Sequence, residues 1–164
     1  MSIRLRLIHW IANRLQCRNI YAEDGALYLQ RFRVFGWTEG SRWFGPSLYL
    51  HRFRLPDQDA ALHNHPWRWG FSWILSGGYI EDRGHQSGFA LIRDGRFCRL
   101  PGDLNVIRPE TYHRVHSLLG RETWTLFLVA PKSRSWAFWV PGRGPVPWRQ
   151  RLAERGIPVD GGES

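Results

Sequence analysis

Two histidines one residue apart, His63-Asn64-His65, precede an aromatic run that ends in Ser76-Gly77-Gly78. A third histidine follows in Pro109-Glu110-Thr111-Tyr112-His113-Arg114-Val115. Neutral imidazole is a versatile ligand for transition metals. Alternate residues of a strand face the same way, so His63 and His65 project together. With His113 from a neighbouring strand they would make one face of a coordination sphere. Three protein ligands on one face leave the opposite positions open, as a catalytic metal requires. His63, His65 and His113 are therefore the candidate ligands. If 113–118 is extended, His113 and Val115 share one face while Arg114 and His116 take the other, which sets His116 aside. His9, His51 and His85 have no paired spacing and read as structural.

A metal held by neutral imidazoles keeps its full charge and favours an anionic or chelating substrate. Arg52 and Arg54 ahead of the histidine strand, Arg68 after it and Arg108 before His113 are candidates for holding a distal carboxylate or phosphate. Pleat parity weakens the case for Arg52 and Arg54, which face away from Tyr49, His51 and Phe53. Glu81 shares a face with Tyr79 and reads either as a fourth ligand or as a surface carboxylate beside Asp82. Trp69, Phe71 and Trp73 either wall an apolar pocket or pack in the core.

The elements that must position these residues are short strands. Residues 28–35 alternate, a loop follows over 36–45, and 48–55 form a second strand before the break at Pro56-Asp57-Gln58-Asp59. The histidine strand starts at Leu62, and a run over 69–75 leads into the glycine turn. Further strands are expected over 79–81, 89–93 and 97–100, the last two joined by a hairpin at Asp94-Gly95. After Pro101-Gly102-Asp103 come 104–108, 113–118 and 124–129, with an edge strand over 136–140 and a short helix over 149–155. The tail from Gly156 is expected to fray. Such a succession, with no interleaved helices, argues an all-β antiparallel barrel.

At 164 residues with 43% hydrophobic composition the chain fits one domain with an ordinary core. It divides into an N-terminal helix (1–20), a barrel (28–140) and a C-terminal extension (141–164). Ten tryptophans suit half-buried pleated surfaces. The net charge is +9, and every basic residue except Lys132 is arginine. The charge is dispersed, which gives nucleic acid little support as a partner. Cys17 and Cys98 lack C-x-x-C spacing, and no secretory signal or apolar run of the ~20 residues a span needs is visible. A cytoplasmic protein with reduced thiols is expected. Ile8, Ile11, Ala12 and Leu15 recur at helical spacing among Arg4, Arg14 and Arg18, reading as a helix packed outside the barrel rather than a membrane-surface or transit segment. Unpaired edge strands, together with what is common among small barrels of the type named next, suggest a homodimer.

On these motifs the chain resembles a cupin. The H-x-H with its glycine turn corresponds to His63–Gly77, and P-x-G…H to Pro101–His113. The matching region runs from roughly Arg31 to Pro131. Many cupins carry a glutamate ligand four residues after the second histidine; Trp69 stands there. That loss resembles the three-histidine branch, notably the thiol dioxygenases exemplified by cysteine dioxygenase. Those enzymes also place a glycine fourteen residues after the first histidine, as Gly77 is, and carry H-R-V, as His113-Arg114-Val115 does. Their Ser-x-His-x-Tyr network falls on Thr125, Phe127 and Val129, which keeps only a hydroxyl. The cysteine of their thioether cross-link falls on Gly70, so cysteine itself fits poorly as substrate. The His-Asn-His-Pro-Trp and Gly-Gly-Tyr-Ile-Glu strings are also similar to small cupins of bacteria and phages.

The resemblance implies one divalent metal, Fe(II) first, with zinc, nickel, copper and manganese compatible with imidazole. It implies Thr125 as the catalytic side chain orienting substrate or dioxygen, and Phe127 and Trp69 with Arg68 and Arg108 about the substrate. The leading function is an Fe(II)-dependent, dioxygenase-like enzyme for a small anionic substrate. A metal-dependent isomerase or hydrolase and a non-catalytic ligand-binding module are the alternatives. A 2-oxoglutarate oxygenase fits less well, because H-x-D/E is absent.

Overall fold

The computed structural model describes residues 3–36 and 43–157. Residues 37–42 of the expected loop and 158–164 of the expected frayed tail lie outside the described residues. The order is α1 (Ile3–Ala12), β1 (Gln16–Tyr21), β2 (Leu27–Phe35), β3 (Ser47–Phe53), β4 (Leu62–His63), β5 (Gly70–Ser76), β6 (Tyr79–Ser87), β7 (Ala90–Arg99), β8 (Leu104–Ile107), β9 (Thr111–Leu118), β10 (Thr123–Val129), β11 (Ala137–Val140), β12 (Gly144–Pro147) and α2 (Trp148–Glu154). The strands form two six-stranded sheets, β1-β2-β3-β10-β5-β8 and β12-β11-β4-β9-β6-β7, every pairing antiparallel. The inner faces enclose a cavity lined from both sheets, by Tyr49, His51 and Phe127 on one side and His63, His113 and Val115 on the other.

Three sequence expectations change. The N-terminal helix ends at Ala12, and Gln16–Tyr21 pairs with β2 as an additional edge strand. The Asp94-Gly95 hairpin is instead a bulge inside β7: Arg83 pairs with Gly95 and Gly84 with Arg93, leaving Asp94 as the extra residue. The real turn is Gly88-Phe89, between the paired Ser87 and Ala90. The segment 136–140 is also not the sheet edge, since β12 lies outside β11.

As expected, α1 packs outside the barrel. Ile8 and Ala12 are buried against Phe32, Leu50 and Trp124, on the faces of β2, β3 and β10 turned away from the cavity. Between the sheets, Ile74, Tyr79 and Val115 form a core that Phe53 and Leu118 flank. Trp148 of α2 packs with Ala61 and Phe138 and stacks on Trp136, ring centroids 5.5 Å apart, so α2 braces β11 and the segment entering β4. The glycine of the first motif has a steric reason. Gly77 sits at φ +80°, and a Cβ there would lie 2.3 Å from the Glu122 carbonyl oxygen. Among the described residues no helix is long and apolar enough to cross a membrane.

Candidate metal centre

His63 is the last residue of β4 and pairs directly with His113 of β9. Beyond it the chain leaves the sheet, so strand alternation alone does not bring His65 round. Asn64 does: its amide nitrogen donates to the Ala137 carbonyl at 3.0 Å, and its side-chain Oδ1 accepts from the Ala137 amide at 2.8 Å. This two-point docking on β11 fixes both flanking residues. Arg134 adds a clamp by donating to the His65 carbonyl, at 3.1 Å, and to that of Pro109.

The three imidazoles converge. One ring nitrogen from each lies within 4.8 Å of the others, and the Nε2 atoms of His65 and His113 are 2.7 Å apart. Nitrogens bound at about 2.0–2.1 Å to a common ion would stand within this range, so the donor set fits one metal. Burial, with a contribution from neighbouring His113, pushes the His63 imidazole down to about 4 despite the opposing charge of Asp57. Burial and the two neighbouring imidazoles hold His65 well below the usual histidine range. Both are therefore neutral near pH 7, with lone pairs available.

Glu81 stands outside the cluster of three imidazoles and is not a surface carboxylate. It is fully buried, and its Oε1 lies 2.7 Å from His113 Nδ1. The same carboxylate accepts from Asn105 Nδ2 and Arg99 Nε, each at 2.8 Å. Burial alone would raise its pKa, but the hydrogen bond and charge of His113, with Asn105 and Arg99, hold it at about 2. An ionised Glu81 accepts a hydrogen bond from Nδ1–H of His113 and leaves Nε2 facing the triad, the orientation metal-binding histidines commonly receive. Arg83 extends the network, donating to Asn105 Oδ1 at 2.7 Å and to the Val106 carbonyl at 2.6 Å. His116 lies on the outer face with Asp82 and Arg114.

The triad opens onto the cavity, whose volume is about 530 Å³. Of the other expected site residues, only Phe127 lines it. Thr125 is fully buried, opposite His51 in register, and does not reach the cavity wall. Its hydroxyl has no hydrogen-bond partner among the described residues. Arg68 and Trp69 are exposed on the segment leaving the H-x-H, and Arg108 is exposed beside Glu110, outside the cavity. On β5 the inward face carries Gly70, Ser72 and Ile74, so Phe71 and Trp73 point outward. Arg52 and Arg54 bind Glu122 on the outer face. Two residues that sequence reasoning passed over stand in the wall instead: Arg31 of β2 and His51 of β3. The signal for His51 was its shared face with Tyr49 and Phe53; no spacing marks Arg31.

No protein-family model and no curated protein matches the chain. Solved structures do match. A cupin-2 domain from Rhodospirillum rubrum is 12% identical, with a TM-score of 0.52 over 87% of this chain and 82% of that one. The structure of FeII HppE is 10% identical, with a TM-score of 0.50 over 71% of this chain. The match spans 57% of the HppE chain. These likenesses, with the two-sheet topology, establish that the chain has the cupin fold.

Proposed function

We propose that His63, His65 and His113 hold one divalent metal, and that the protein is an Fe(II)-dependent, dioxygenase-like enzyme acting on a small anionic substrate. The observation that carries this reading is the convergence of three imidazoles, one locked by a buried carboxylate, on a cavity between the sheets. A metal there would supply open coordination positions for substrate and dioxygen. The protein's own contribution is positional: Glu81 fixes the His113 tautomer, Asn64 and Arg134 fix the H-x-H, and Trp67 and Phe127 keep the adjoining wall apolar. Iron is the first metal to test because HppE, which shares the fold, is described as an FeII protein.

Protein loaded anaerobically with Fe(II) should bind nitric oxide and give the paramagnetic signal of an iron–nitrosyl centre. Oxygen uptake should follow with a member of a small-acid panel. Zinc as the native metal, no nitrosyl signal and no oxygen uptake would instead support the ligand-binding module.

A further inference from the structure

The helix α1 carries two apolar faces, and the barrel uses one of them. Ile8 and Ala12 pack on Phe32, Leu50 and Trp124, with Leu5 and Leu15 flanking that core. On the opposite side Ile3, Leu7, Trp10 and Ile11 recur at helical spacing and face solvent, with Ile3 85%, Leu7 56% and Trp10 54% exposed. Scattered exposed apolar residues are ordinary, but a row of them along one helix marks a surface that associates.

The charge around that row selects its partner. At about 3.6 residues per turn, Arg4 and Arg6 fall on either side of it, and both are exposed. Arg14 continues the row past the end of the helix. Its guanidinium stacks over the Trp10 ring, 3.7 Å from the centroid, and Nη1 donates to the Trp10 carbonyl at 2.8 Å. Residues 1–22 include no acid. Glu122, 3.5 Å from His9, is already paired with Arg52 and Arg54. The surface thus presents aliphatic side chains and an indole between cations. A nucleic acid would satisfy the arginines and leave Ile3 and Leu7 without an apolar partner. A protein groove would have to meet three arginines with three placed acids, whereas anionic lipid offers phosphates at every position. Aliphatic side chains enter the headgroup–acyl boundary, arginines reach the phosphates, and tryptophan suits the level between.

We infer that α1 docks the protein on an anionic lipid surface: its inner face holds the barrel, and Ile3, Leu7 and Trp10 with Arg4, Arg6 and Arg14 hold the lipid. At ten residues the helix is about 15 Å long, half the hydrocarbon thickness of a bilayer, so it lies in the surface and does not span it. The contact is peripheral and reversible, and it does not depend on whether the histidines hold a metal.

The test is flotation of the full chain with vesicles of phosphatidylcholine alone and of phosphatidylcholine with about one-third phosphatidylglycerol. The protein should float with the anionic vesicles, bind the neutral ones about ten-fold more weakly or worse, and lose most of the anionic binding in high salt. Leu7→Glu and Trp10→Glu should each weaken anionic binding about ten-fold, because each withdraws an apolar side chain from the lipid. The double variant Arg4→Gln, Arg6→Gln should weaken it by about the same factor. All four positions are exposed, so circular dichroism should match wild type. Phe89→Ser, exposed at the turn between β6 and β7, should bind as wild type does. Equal binding to both vesicles, no flotation with either, undiminished binding in the α1 variants, or equal loss in Phe89→Ser overturns the inference; the comparison of vesicles needs no variant to fold. Short duplex DNA bound in place of vesicles would assign the face to nucleic acid. A mass that halves in Leu7→Glu, with vesicles unbound by wild type, would assign it to a second copy. Either result also overturns the inference.

Discussion

At the scale of single residues, the three histidines could be picked out because H-x-H spacing is a local property, although the docking of Asn64 on Ala137, and not strand parity, brings His65 round. The environment of Glu81 was not. Parity placed it beside Tyr79, but its partner His113 comes from another strand, and its burial depends on Asn105 and Arg99 from two more. The contact between Arg31 and His51 was illegible for the same reason, since it crosses from β2 to β3. Glu81→Gln keeps the shape and removes the charge that orients His113. Its metal affinity should fall about 10–100-fold, measured by competition with a chromophoric chelator, with circular dichroism unchanged. Unaltered affinity would show that the His113–Glu81 bond does not serve the metal. Gly77→Ala forces a side chain into left-handed backbone and onto the Glu122 carbonyl. A loss of about 1–3 kcal/mol in a denaturant titration is expected, and a neutral outcome would mean that the turn relaxes freely.

At the scale of elements, most strands could be read from period-two patterning, while the connections between them could not. Asp94-Gly95 has hairpin chemistry, yet the pairing of β6 with β7 continues through it, because Gly88 at φ +58° makes the turn and Gly95 at φ +123° accommodates a bulge. Residues 16–20 read as part of the helix because nothing local reveals that β2 has an edge to pair. The C-terminal helix bears on the site: Trp148 stacks on Trp136, whose ring lies 5.8 Å from that of His63. Asp59 ties this helix down, accepting from Arg151 Nε at 2.9 Å and from the Ala61 amide at 2.8 Å, with Arg155 2.8 Å away. Burial opposes its ionisation, but Arg151, the Ala61 amide and Arg155 lower its pKa from 3.8 to about 2. A depressed carboxyl pKa stabilises the fold above the unfolded value and loses that contribution as pH falls through the folded one. Asp59→Asn should therefore cost about 1–2 kcal/mol near neutral pH, allowing for solvent screening of the arginines. The gap from wild type should close between pH 3.8 and about 2. A gap independent of pH over that interval would place the effect of the substitution elsewhere.

At the scale of the whole molecule, part of the outer face of the first sheet is apolar although the chain carries a net charge of +9. Phe35, Leu48, Leu128, Phe71 and Val106 lie in one register row, and Leu126, Trp73 and Leu104 in the next, with Trp73 49% and Leu104 55% exposed. A second copy is expected on this face, since a contiguous apolar patch is a common mark of association. Sedimentation at micromolar concentration should give the mass of two chains, and Trp73→Glu should give one; a monomeric wild type would contradict the expectation. The central claim is that three imidazoles from β4, the following loop and β9 hold a metal. It is tested most directly by metal content per chain, measured by mass spectrometry after loading and desalting, for wild type, His63→Ala, His113→Ala and His116→Ala. About one metal per chain is expected in the wild type and in His116→Ala, with near-complete loss in the other two. Retention in His63→Ala and His113→Ala, or equal loss in His116→Ala, would contradict it.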